Sequence, residues 1–265
     1  MAAVLAARVA VRTAPAWHAA AGRRRYGQRQ PMAAVASFHL TRYPARHAPG
    51  AMAELAAGGR SLAAVPGLRF ARRLGTGRGS AMGLGADLRR WAMFAVWDDE
   101  AALDAFWTAS PLLRRRHRRG EESWDVGLQP LSAHGSWGGA NPLTDLDAGA
   151  DDPGAPVAVL TRARIALRHW PAFYRSVPAV EADLRRRPGL LAVVGVGEAP
   201  VGLQATFSLW RSAADATDFA YRRSPHEAVV RRTREEGWFT EELFARFRPY
   251  RSRGTWDGRD PLSGP

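Results

Sequence analysis

The sequence contains no cysteine, which excludes disulfides, thiolate nucleophiles, iron–sulfur clusters and cysteine-ligated zinc. Any metal or cofactor must therefore be held by histidine, carboxylate, tyrosine or contacts that do not ligate. Lysine is absent too, so all 38 basic residues are arginine, and against 25 acids the formal net charge is +13. A general preference for Arg, Ala and Gly accounts for that charge more simply than a nucleic-acid site, and no base-reading motif accompanies it. No run of about eighteen apolar residues occurs, so no membrane-spanning helix is expected. What is present is a chain of 265 residues, 46% hydrophobic, enough for one large core or two small ones.

Residues 1–31 carry Arg8, Arg12, Arg23, Arg24, Arg25 and Arg29 and no acid, and these six leave +7 of the +13 for the rest. The stretch reads as a disordered Ala/Arg-rich extension, with a targeting segment or a mis-assigned start as alternatives. Its apolar run Met1–Val11 is interrupted by Arg8 and is too short to span a bilayer.

The strongest pattern is internal. Trp137-Gly138-Gly139-Ala140-Asn141-Pro142-Leu143 matches Trp256-Asp257-Gly258-Arg259-Asp260-Pro261-Leu262 at an offset of 119. Pro130 and Pro249 share that offset, Gly67-Leu68 pairs with Gly189-Leu190 at 122, Gly75-Thr76-Gly77 with Gly195-Val196-Gly197 at 120, and Ser110-Pro111 with Ser224-Pro225 at 114. Matches in the same order with small drifts are the signature of a tandem duplication with loop changes.

Periodicity gives each copy the same elements. The first has strands near 33–41, 68–74, 91–97 and 124–132, with helical stretches near 46–64 and 98–119. The second has strands near 157–165, 190–196, 203–210 and 246–253, with helical stretches near 170–186 and 212–244. The expected fold is α+β: tandem ferredoxin-like βαββαβ units at 32–144 and 157–265, joined by an Asp/Gly/Pro-rich linker at 145–156. Each unit has both helices on one face of a four-stranded antiparallel sheet. Packing the two bare faces together buries them and places an apolar ligand in the gap between the sheets.

Gly75-Thr76-Gly77-Arg78-Gly79 lacks phosphate-loop spacing and lies between two strands, so it reads as a hairpin connection that covers a pocket mouth. Arg114-Arg115-Arg116-His117-Arg118-Arg119 ends a helix. Its plain reading is a solvated face, and attraction to an anionic membrane surface or an acidic partner is the alternative. The seven histidines form no close-spaced metal motif. His226 stands apart, because Ser224-Pro225-His226-Glu227 is a capping box with Pro at the first helical position. The helix dipole there disfavours imidazolium and keeps a ring nitrogen available as a ligand. Its counterpart in the first copy is Leu112, which points to a function carried by one half only. Val230, Thr233 and Gly237 continue along that face. Arg231 and Arg234 reach carboxylates at a pocket edge or stay solvated. Trp238-Phe239 reads as core or as a cofactor wall. No Ser–His–Asp order stands out.

Seven stretches together resemble the spheroidene monooxygenase (carotenoid 2-ketolase) family, within the dimeric α/β-barrel superfamily. They are Leu74–Gly77, Ala95–Glu100, Leu128–Ala133, Leu160–Ala163, Gly195–Glu198, Thr206–Trp210 and Glu235–Phe247. The resemblance runs from about Val35 to Trp256. It implies haem, reduced ferredoxin as electron donor, and O2-dependent oxidation of an acyclic carotenoid at C2, repeated to give a ketone. On that resemblance His226 is the expected axial iron ligand, with Arg234 beside a haem propionate and Trp238 at the cofactor. His134 replaces an aromatic of the family pattern, and Arg114–Arg119 is more basic than usual. The protein is expected in the cytoplasm, in peripheral contact with the membrane. A non-haem monooxygenase or dehydratase on another apolar substrate, and a non-catalytic module binding haem or an apolar ligand, remain the alternatives at this point.

Overall fold

The computed structural model describes residues 34–56, 62, 64–80, 85–144, 152–199, 202–221 and 225–263. The extension 1–31, most of the linker and Ser224 of the capping box lie outside them. The strands are β1 Val35–Arg42, β2 Leu68–Gly77, β3 Ala86–Trp97, β4 Glu122–Gly135, β5 Val157–Ile165, β6 Leu190–Gly197, β7 Leu203–Trp210 and β8 Phe239–Gly254. The helices are α1 Ala48–Ala56, α2 Glu100–Ala109, α3 Pro111–Arg119, α4 Trp170–Arg185, α5 Ala213–Tyr221 and α6 Pro225–Glu236. Among the described residues no helix is long and apolar enough to cross a membrane.

Two expected helical stretches are each divided in two. Ser110 ends α2 with extended backbone and caps α3, its side chain accepting from the Leu113 amide at 3.4 Å, while Pro111 takes the first helical position. In the second half α6 stops at Gly237, whose φ of 61° suits glycine. The next residues, Phe239-Thr240-Glu241-Glu242-Leu243-Phe244, belong to β8 and not to the helix expected there.

The strand order is β1-β3-β2-β6-β7-β5-β8-β4, closed on itself. Each half therefore has the ferredoxin-like order, β4-β1-β3-β2 and β8-β5-β7-β6. The two sheets meet along both edges as well as face to face. One seam is long, from Trp124↔Gly254 to Gly135↔Leu243 between β4 and β8, and the other, among the described residues, comprises Gly75↔Gly197 and Thr76↔Val196 between β2 and β6. Residues matched by the sequence repeat lie opposite one another at both seams: Gln129 faces Arg248, 119 positions on, and Thr76 faces Val196, 120 positions on. Closure removes the four open sheet edges that two separate units would expose.

The barrel interior is filled. Phe38 of β1 and Phe207 of β7 stack across it with centroids 3.9 Å apart and planes within 5°. Phe94, Trp124 and Phe247 complete the same aromatic core. An eight-stranded barrel is just wide enough for side chains to fill, and among the described residues these side chains occupy the space of the expected ligand gap between the sheets. The repeated Trp-x-Gly loops plug the two ends. Trp137 stacks on Phe94 at 5.8 Å, and the Gly139 amide donates to Glu241 Oε1 at 2.8 Å. At the opposite end Trp256 packs on Trp124 at 5.4 Å, and the Gly258 amide donates to Glu122 Oε1 at 2.7 Å.

Among the described residues the first plug alone adds a fully buried cation. Arg162 lies under Trp137 and pairs with Glu241 and, at 3.1 Å, with Glu198. Burial alone pushes the Glu241 carboxyl up, but the Gly139 amide and the Arg162 guanidinium outweigh it and hold the group at about 2. Phe38→Ala should lower the unfolding free energy by ~3–5 kcal/mol, read as a shift in the chemical-denaturation midpoint at unchanged slope.

Candidate functional site

Outward-facing residues of each half-sheet lie under that half's helices, and the two halves fill this layer differently. In the first half His39 of β1 sits between Met93 of β3 and Asp125 of β4. In the second, the matching position is Thr161 of β5, between Thr206 of β7 and Phe244 of β8.

The first-half layer holds a closed network. His39 Nδ1 donates to Asp125 Oδ1 at 2.8 Å, and Ser37 Oγ lies 2.9 Å from His39 Nε2 while accepting from Trp97 Nε1 at 2.8 Å. His117 Nε2 and Arg253 Nε meet the other Asp125 oxygen at 3.0 and 2.9 Å. Ser37, His39 and Asp125 have the connectivity of a hydrolytic triad, which the linear sequence hides because 86 residues separate the last two. All three are buried, and none lines the cavity between α4 and α6. The group ties sheet to helices instead of presenting a nucleophile.

Burial pushes the His39 imidazole below its ordinary 6.5 against the opposing pull of Asp125. Burial alone pushes the Asp125 carboxyl up, and its contacts with His39 and His117 outweigh that, keeping it ionised well below the usual range. The unfolded chain thus takes up protons before the folded one does. Stability should fall as pH drops from 7 towards 5 through His39, and again below about 4 through Asp125 and Glu241. Thermal unfolding against pH checks this, and His39→Gln should flatten the step between pH 7 and 5 while lowering stability throughout.

The second-half layer has no such network among the described residues. A cavity of about 320 Å³ lies between α4 and α6, lined by Ala172, Arg175 and Ser176 of α4, Val229 and Arg232 of α6, and Trp238. That is within the range of small-molecule sites, about 300–1,000 Å³. Trp238 is buried and stacks on His169 at 5.9 Å, and its Nε1 donates to Glu236 Oε2 at 2.8 Å. Arg232 Nε donates to Glu236 Oε1 at 2.6 Å with its guanidinium 5.5 Å from the Trp238 ring. The glycine connection does reach this half: the Gly195 amide donates to the Gly79 carbonyl at 2.8 Å, the Ser80 amide to Glu181 of α4 at 3.3 Å, and Thr206 Oγ1 to the Ser80 carbonyl at 2.9 Å.

Two buried hydroxyls in this half, Thr161 Oγ1 on the sheet and Thr233 Oγ1 on α6, find no hydrogen-bond partner among the described residues. A buried hydroxyl left unpaired costs about 1–3 kcal/mol. In ligand-free protein Thr161→Val should therefore raise the unfolding free energy by about 1 kcal/mol, measured by denaturant titration.

Of the residues singled out from sequence, Trp238 lines the cavity and His226 takes the second position of α6, as Leu112 does in α3. The side chains of His226 and Arg234 lie outside the described residues. Position 226 is three residues before Val229, about one helical turn. The guanidinium groups that do line the cavity, Arg175 and Arg232, carry no motif that distinguishes them from the other arginines in the sequence.

No protein-family profile matches the chain. It is 36% identical over 230 residues to a spheroidene monooxygenase of Rhodobacter capsulatus, covering 86% of this chain and 95% of that protein. It is 39% identical over 194 residues to a spheroidene monooxygenase of Rubrivivax gelatinosus, covering 73% of each. Among solved structures, an aldoxime dehydratase in complex with butyraldoxime superposes with a TM-score of 0.53 at 11% identity, covering 83% of this chain and 80% of that one. That likeness concerns the fold alone. At these identities and coverages the chain belongs to the spheroidene monooxygenase family, and it is an oxidoreductase of the monooxygenase class.

Proposed function

We propose that this chain is a haem-dependent monooxygenase that oxidises an acyclic, spheroidene-like carotenoid at C2 to a ketone with electrons from reduced ferredoxin. The observation that carries the reading is the unequal space in the two halves. Beside its charged network the first half keeps only a narrow groove of about 30 Å³ between α1 and α3, whereas the second half opens to about 320 Å³ between the matching helices α4 and α6. The proposed organisation is an extension at 1–31, units at 32–144 and 157–265 derived by duplication, a linker at 145–156, and the site in the second unit.

The residues at this cavity fit a haem. Trp238, Val229 and Ala172 offer apolar and aromatic surface for a macrocycle, and Arg175 and Arg232 bring guanidinium groups for propionate carboxylates. His226 stands at the start of α6, where the helix dipole favours the neutral, ligating imidazole. The unpaired hydroxyls of Thr161 and Thr233 supply hydrogen-bond capacity in this layer. Arg234 keeps its proposed place beside a propionate. Bound haem would supply O2 activation. The balance of each turnover is one C–H bond, one O2, two electrons and two protons giving one C–OH and one water. A second turnover at the same carbon gives a geminal diol that loses water to the ketone. The chain's own part is to exclude water, anchor the cofactor and orient the polyene end.

The purified chain reconstituted with haem should show a Soret band, and His226→Ala should lose or strongly shift it. Protein that stays colourless after reconstitution would sink the reading. Turnover by haem-free protein would select a non-haem enzyme of the same fold.

A further inference from the structure

We propose that the face formed by α1, the start of β3 and α3 is a docking surface for an anionic lipid membrane. The inference goes beyond the proposed reaction and does not depend on it.

Helix α3 is Pro-Leu-Leu-Arg-Arg-Arg-His-Arg-Arg, with no carboxylate in its nine residues. Its apolar positions turn inward, with Leu113 buried, while Arg114, Arg115 and Arg118 are exposed. Charge alone would suit any polyanion. What narrows the partner is the apolar surface beside it. Of the three exposed large apolar side chains among the described residues, Met52 is in α1 and Leu88 in β3, 43% and 52% exposed.

A groove lies between α1, β3 and α3. It is lined by Ala51, the neighbour of Met52, by Trp91, whose indole donates to the Leu88 carbonyl at 2.9 Å, and by Leu112 and Arg116 of α3. Arg116 is only 7% exposed. Its Nη2 donates to the Trp91 carbonyl at 3.3 Å, and it has no carboxylate within ion-pair distance among the described residues. A guanidinium held at the edge of such a groove matches a phosphate oxygen, while Leu88, Met52 and Trp91 match the boundary between headgroups and acyl chains. An acidic protein would match the arginines but leave the two exposed apolar side chains unexplained. Each arginine near an anionic surface adds a modest attraction, so the surface acts as a set.

Sedimentation of the full chain with vesicles tests this. Vesicles of phosphatidylcholine with phosphatidylglycerol should bind it at low salt, pure phosphatidylcholine should not, and high salt should release it. Arg114→Glu/Arg115→Glu/Arg118→Glu should weaken binding about a hundredfold, and Leu88→Asp about tenfold. All four sites are exposed, and unchanged circular dichroism checks that the variants fold. Arg185→Glu/Arg186→Glu/Arg211→Glu makes the same charge change on the other half and should bind like the unaltered chain. The proposal is overturned if vesicles do not bind, if both triple variants lose binding equally, or if an acidic ferredoxin binds at this face while vesicles do not. Haem content enters none of these readings, so failure here is distinguishable from failure of the haem reading.

Discussion

Pairing of sheet edges governs this molecule. A four-stranded antiparallel sheet with helices on one side has an apolar face that is costly to expose to water and two open edges that invite pairing with other strands. Joining two such sheets along β4–β8 and β2–β6 satisfies both demands at once. The long β4–β8 ladder brings the end of β4 to the start of β8, and the end of β8 to the start of β4. The two Trp-x-Gly loops are thereby delivered to opposite ends as plugs. Gly135 and Gly254, 119 positions apart, close those ends with φ of 93° and 81°, where a Cβ would come within 2.0 Å of a carbonyl oxygen of the opposite strand.

Closure then dictates where a ligand can go. Because Phe38, Phe207 and their aromatic neighbours fill the interior, the remaining space is the layer between sheet and helices, which each half owns separately. The first half spends that layer on Asp125 and the cations around it, a connection that fixes α3 and β8 to the sheet. The second half has Thr161, Thr206 and Phe244 at the matching row and a cavity between α4 and α6. A near-symmetric frame thus carries an asymmetric candidate site, since function resides in particular side chains and not in the fold that holds them.

The same division extends to the surface. The half with the narrow groove carries the cationic helix α3, and the half with the larger cavity carries the proposed cofactor site. Under the proposed reading, one half meets the membrane and the other performs the oxidation. Arg116 links the two aspects of the first half, since it lies at the groove edge and close enough to His39 to lower its proton affinity.

The βαββαβ order, its repetition and the asymmetry between Leu112 and His226 were legible in the sequence, because hydrophobic period, Ser-Pro caps and glycine positions act over a few residues and are written locally. The glycine stop at 237 was legible too, yet the helical reading ran past it, since Glu241, Glu242 and Ala245 also suit a helix. What only the tertiary structure decided depends on distance between chain segments: edge closure in place of a face-to-face gap, the Ser37–His39–Asp125 alignment across two strands, and the choice of Arg175 and Arg232 among many arginines to line the cavity. Strand register and barrel curvature set those contacts, and neither is a property of any local stretch of residues.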